Sequence, residues 1–113
     1  MTLPGAERAF VDPAKVRDYL LNPHHPVGYA KARGFSAQGF TRRRWPLLYR
    51  ALVELAMDGE AETGEPATDV RKYTVRGAVT GLTGREEQIV SAWIVLKGED
   101  FPRLVTAFPG DAR

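Results

Sequence analysis

Apolar residues in the first half of this chain recur at intervals of three and four. After Gly59 they alternate with polar ones, so helices are predicted first and strands after. The clearest helical stripe is Leu48, Ala51, Leu52, Leu55 and Ala56, closed by Asp58-Gly59 and opened near Trp45 with Pro46 in its first turn. Upstream, Asp12 reads as an N-cap with Pro13 at the first helical position, predicting a helix from about Pro13 to Leu21 with Val16, Tyr19 and Leu20 on one face. Asn22-Pro23 stops it. A second helix is predicted from Val27 or Gly28 to about Gln38, with contacts through Ala30, Phe35 and Ala37 and a stop at Gly39; Gly34 weakens it by about 1 kcal/mol.

The later pattern is that of strands. Tyr73, Val75 and Val79 alternate with polar residues, Gln88 to Leu96 is β-branched and apolar, and Arg103 to Phe108 is a last short strand. Glu60 to Glu65 fits an edge strand, and the turns fall at Gly81-Leu82-Thr83-Gly84-Arg85 and Lys97-Gly98-Glu99-Asp100. Helices followed by strands, without alternation, predict an α+β fold: about three N-terminal helices packed on an antiparallel meander sheet of about four strands. Residues 1–9 read as a flexible arm and 10–109 as a single domain.

Charge sharpens this picture. Residues 1–50 carry nine Lys/Arg against three acids, +6, whereas the remainder carries seven against eleven, −4. The N-terminal half therefore suits an anionic partner, RNA or an acidic protein. The chain has no cysteine, which excludes disulfides, thiolate catalysis and zinc–thiolate sites. No basic-then-apolar leader or membrane-length apolar run is present, so a cytoplasmic protein is expected.

Both histidines lie in Asn22-Pro23-His24-His25-Pro26-Val27-Gly28, followed by Lys31 and Arg33. Imidazole titrates near neutrality and a nearby cation favours phosphate, a combination suited to acid–base chemistry on a phosphodiester. The same residues fit a helix-to-helix turn in which His25 caps or packs on Tyr29. RNA cleavage without metal needs a base, an acid and cations around phosphorus. The candidate catalytic set is His25, Lys31, Lys72 and Thr106. Arg33, Arg42, Arg43, Arg44 and Trp45 are candidate RNA-binding residues, because three cations at a helix N-terminus oppose its dipole unless an anion sits there, and Trp45 beside them suits base stacking. Alternatively, these arginines precede the helix or pair with acids of the C-terminal half. Trp93 reads as core. No metal-ligand spacing, glycine-rich phosphate loop or other cofactor motif is present, so neither metal nor cofactor is expected.

The segments His25-Pro26-x-Gly28-x-x-Lys31-Ala32-x-x-Phe35, Gly39-Phe40, Lys72-Tyr73-x-Val75-x-Gly77, Trp93 and Pro102-Arg103-Leu104-Val105-Thr106-Ala107-Phe108-Pro109 together resemble a bacterial domain-of-unknown-function family with an HPxGxxKAxxF motif and a terminal RLVTAYP-like strand. The layout also resembles the barnase/EndoU/colicin/RelE-like ribonuclease toxins. That resemblance implies a toxin-like ribonuclease paired with a cognate antitoxin or immunity protein; the alternative is a non-catalytic module whose basic N-terminal face docks an acidic protein. Two positions depart from the family pattern: Gly34 stands where an aromatic is expected, and Val90-Ser91 where Arg-Thr is expected, which turns attention to Arg71, Arg76 and Arg103.

Overall fold

The computed structural model describes residues 1–81 and 84–110. A 3₁₀ turn at Ala6–Arg8 precedes α1 (Pro13–Lys15), which widens into a π-helical turn over Val16–Leu20; α2 (Tyr29–Ala37), a 3₁₀ turn at Arg42–Arg44 and α3 (Trp45–Asp58) follow. The strands β1 (Glu60–Thr63), β2 (Val70–Thr80), β3 (Glu86–Leu96) and β4 (Arg103–Pro109) form one antiparallel meander in the order β1-β2-β3-β4. The α+β architecture is the one that the hydrophobic pattern predicts. Of the predicted turn between β2 and β3, Leu82 and Thr83 lie outside the described residues.

Several local expectations are corrected. The helix predicted over 13–21 begins as foreseen, with the Asp12 carboxylate accepting from the Ala14 N–H at 2.9 Å. It then widens, and the Leu21 N–H donates to the Val16 carbonyl five residues back at 3.0 Å. The wider turn brings Leu21 onto the same buried side as Val16 and Leu20, and leaves Tyr19 half-buried on the flank. In α2 the buried contacts are Ala32 and Phe35; Ala30 and Ala37 are exposed. Residues 1–9 are docked rather than loose, because Leu3 and Ala6 are buried in the core.

One face of the sheet packs on the helices. Trp93, Phe35, Phe40, Leu48, Leu52 and Ile89 are among the largest side chains sealed there. Trp93 donates from Nε1 to Ser91 Oγ at 2.8 Å, and Ser91 donates to the Val75 carbonyl at 3.0 Å. Alternation from the buried Val75, Trp93 and Ala107 places Thr74, Arg76, Val90, Ala92, Thr106 and Phe108 on the opposite face, where Arg76 and Phe108 are exposed and Val90 is buried. A β-bulge makes this possible in β4. Trp93 pairs with Leu104 but Ala92 pairs with Thr106, so Val105 is the extra residue, and Leu104 and Ala107 both face inward. The margins of the sheet are engaged: Phe10 donates to the Pro102 carbonyl at 2.8 Å and accepts from the Leu104 N–H at 3.0 Å, and Ala61 donates to the Met1 carbonyl at 2.8 Å.

Candidate functional site

Three of the four candidate catalytic residues converge on a side chain that the hydrophobic pattern assigns to packing, Tyr19. Its hydroxyl lies 3.5 Å from Thr106 Oγ1. The His25 ring meets its ring edge-on with centroids 5.0 Å apart. The ammonium groups of Lys31 and Lys15 stand 5.6 and 5.7 Å from its centroid. Lys15 also donates to the carbonyl of the bulged Val105 at 3.1 Å, which ties α1 to the strand carrying Thr106. The Thr106 hydroxyl, and then Lys31 and Lys15, hold the Tyr19 phenol below its usual value, against an opposing effect of partial burial.

His25 is held differently from the expected acid–base group. The backbone N–H groups of Val27 and Gly28 both donate to its Nδ1, each at 3.0 Å. Nδ1 therefore carries no proton, the ring proton sits on Nε2, and His25 presents an N–H donor while its other nitrogen caps the turn into α2. Its aromatic partner is Tyr19, not Tyr29. His24 is exposed.

Gly28 makes this junction possible. A Cβ there would collide with the Tyr19 carbonyl and approach its ring at 3.0 Å. Gly28→Ala is expected to push Tyr19 off Thr106 and to destabilise the fold by about 1–3 kcal/mol, measured by chemical denaturation.

Lys72 does not join the cluster. It pairs with Ile94, whereas Thr106 aligns through Ala92 with Thr74, so Lys72 shares that face but stands two strands across and two residues along, roughly 12 Å from Thr106.

The candidate RNA-binding residues lie across α2. Arg33 shares its stripe with Tyr29, Ala32 and Ser36, while Lys31 and Gly34 are on the opposite flank, where Gly34 packs against Pro109. With Arg42, Leu21 and Phe40 that stripe lines a cleft of about 400 Å³. The three arginines form a 3₁₀ turn ahead of α3, which removes much of the conflict with its dipole. Arg42 pairs with Asp18 at 3.0 Å and donates to the Arg17 carbonyl at 3.1 Å; its acid comes from the N-terminal half. Arg17 and Arg42 hold the Asp18 carboxyl well below the usual carboxylate range. Arg33, Arg43 and Arg44 are exposed and make no ion pair among the described residues. Trp45 is half-buried, edge-on to Tyr49 at 6.1 Å and covered by the Arg17 guanidinium at 6.0 Å.

Of the three arginines considered as substitutes, Arg103 is fixed by a bidentate pair with Glu99 at 2.7 and 2.9 Å, between Phe10 and Phe101. Arg71 alternates to the helix-side face. Arg76 is exposed on the face opposite Trp93, directly across from Val90.

Among the described residues no helix is long and apolar enough to cross a membrane. None of the curated proteins matches the chain. Among solved structures, it is similar to a chain of a contact-dependent growth inhibition toxin–immunity protein complex from Klebsiella pneumoniae 342. The TM-score is 0.68 at 12% identity, over 96% of this chain and 98% of that one, a likeness that establishes a shared fold. The model of the domain of unknown function DUF6883 matches residues 2–111, and the chain belongs to that family.

Proposed function

We propose that this protein is a toxin-type ribonuclease that cuts RNA by attack of a 2′-hydroxyl on the adjacent phosphorus, acts in the cytoplasm, and is restrained by a cognate immunity protein. The observation that carries the reading is the meeting of Lys31, His25 and Thr106 around Tyr19, with Lys15 beside them and, among the described residues, no carboxylate hydrogen-bonded to the phenol. The neighbour in fold comes from a complex of a toxin and its immunity protein. A phenol with two ammonium groups beside it suits proton transfer at a phosphodiester.

In this reading the acid–base role expected of His25 passes to Tyr19. The phenolate takes the 2′-hydroxyl proton as the 2′-oxygen bonds to phosphorus. The bond from phosphorus to the 5′-oxygen then breaks, and Lys31 supplies the proton to that leaving oxygen. His25 Nε2–H and Lys15 donate to the non-bridging oxygens, where negative charge develops. The products are a 2′,3′-cyclic phosphate and a 5′-hydroxyl. Lys72 and Arg76 attract the backbone from farther across that face of the sheet.

The test is digestion of total RNA by purified protein in excess EDTA, with analysis of the new ends. Cleavage leaving cyclic phosphates, lost in Lys31→Ala and retained after charge reversal at Arg43 and Arg44, is the expected result. RNA left intact by wild-type protein, together with harmless expression in bacteria, overturns the reading.

A second reading rests on three exposed cations, Arg33 on the far flank of α2 and Arg43 and Arg44 in the turn ahead of α3. There an acidic immunity protein would dock without touching the Tyr19 cluster, and charge reversal would abolish its capture.

A further inference from the structure

We propose that Phe108 and Arg76 hold the nucleotide beside the cleaved linkage, its base stacked on Phe108 and its phosphate met by Arg76, so that the substrate is single-stranded RNA. The inference rests on the ribonuclease reading and names the form of RNA taken. Arg76, Val90 and Phe108 lie abreast on three adjacent strands, in direct register and on the side of the sheet opposite Trp93. Two strand spacings separate the backbones of the outer pair, roughly 10 Å, and Val90 between them is buried, 7% exposed, so Phe108 and Arg76 are what this row presents to solvent.

Phe108 is 42% exposed, and among the described residues no ring or cation packs on it. It lies two residues beyond Thr106 on the same side of β4, roughly 7 Å along the strand from the group that touches Tyr19. A base stacked there would continue the path of a strand whose linkage sits at Tyr19. Trp45, the other aromatic considered for stacking, already has Tyr49 and Arg17 against it.

Arg76 is exposed and makes no ion pair among the described residues; its neighbour on β1, Glu60, is turned to the Met1 amino group. Glu62 shares the face but lies farther out, opposite Thr74. The face therefore offers an aromatic and a cation in one row. That is the pairing that single strands use, whereas a duplex hides its base faces within the stack.

The experiment measures binding rather than cutting. A fluorescent single-stranded oligoribonucleotide with 2′-O-methyl groups, which cannot be cleaved by this route, is titrated with wild type and variants. Phe108→Leu and Arg76→Ala are each expected to weaken binding by about five- to a hundredfold, with a shallower salt dependence for Arg76→Ala. Phe108→Tyr should bind as wild type, which guards against misfolding, and Trp45→Phe should be neutral. The same sequence as a duplex should bind more weakly. Equal binding by wild type, Phe108→Leu and Arg76→Ala, or equal affinity for the duplex, overturns this proposal while cleavage of unmodified RNA keeps the ribonuclease reading. Absence of both binding and cleavage overturns the two together.

Discussion

Tyr19→Phe should reduce RNA cleavage by about 10²- to 10⁴-fold while leaving the fold nearly as stable as wild type. The magnitude is that of losing a proton-transfer group. Stability should fall by no more than about 1.5 kcal/mol, since the hydrogen bond removed is the long one to Thr106 and the ammonium groups of Lys31 and Lys15 keep the ring. The ring remains to pack against His25. The pH profile separates a catalytic phenol from a structural one. Its folded-state pKa is lowered from the usual 10, so cleavage should rise with pH and level off below that value. The same sign holds for linkage. The phenolate is favoured in the folded state, so its contribution to stability is fully present above the unfolded pKa and is lost as pH falls through the folded one. Near-ultraviolet titration should show a tyrosine step displaced below the usual value, the Tyr19 phenol. That early step should vanish in Tyr19→Phe and move back toward 10 in Thr106→Ala. An unchanged rate and an unchanged titration in Tyr19→Phe would remove the phenol from the chemistry.

Trp93→Ala should destabilise the protein by about 3–5 kcal/mol, close to the entire stability of many small domains. Trp93 is 1% exposed and stands at the junction of β3 with the helices. Its loss would open a cavity and leave the Ser91 hydroxyl, itself buried, without its indole donor. Trp93→Phe keeps much of the volume and isolates the second effect, expected at about 1–3 kcal/mol. Urea denaturation followed by circular dichroism measures both without depending on the indole signal. A loss below about 1 kcal/mol in Trp93→Ala would contradict this account of the core.

The fold was legible because its two periodicities are strong: Leu48 through Ala56 repeat as only a helix can, and Tyr73 onward alternate as a half-buried sheet must. The site was legible in part. His25, Lys31 and Thr106 stand out in the sequence by their chemistry, and folding brings them around one ring. Tyr19 was hidden because its spacing to Val16 and Leu20 is that of a packing residue, and only the π-helical turn swings it to the flank. Local sequence carries no signal of that turn. The Arg42–Asp18 pair spans 24 positions, and the ring-on-ring cover of Trp45 by Tyr49 needs α3 to be formed before it exists. The position of Lys72 relative to Thr106 depends on strand register across a bulge, which is decided by the whole sheet.

The engaged margins of the sheet limit how another protein can take hold of this one. Phe10 is bonded to the start of β4 and Met1 to Ala61 of β1, so an extra strand added along the full length of either edge would meet a segment already in place. An inhibitor that recognised its target by lengthening the sheet would first have to peel one of those segments away. Recognition through side chains on the two flanks of α2 or across the strands disturbs neither segment, and there single substitutions change the match. Paired toxins and inhibitors built on this scaffold would therefore drift apart in specificity by surface replacement alone, with the backbone left as it is.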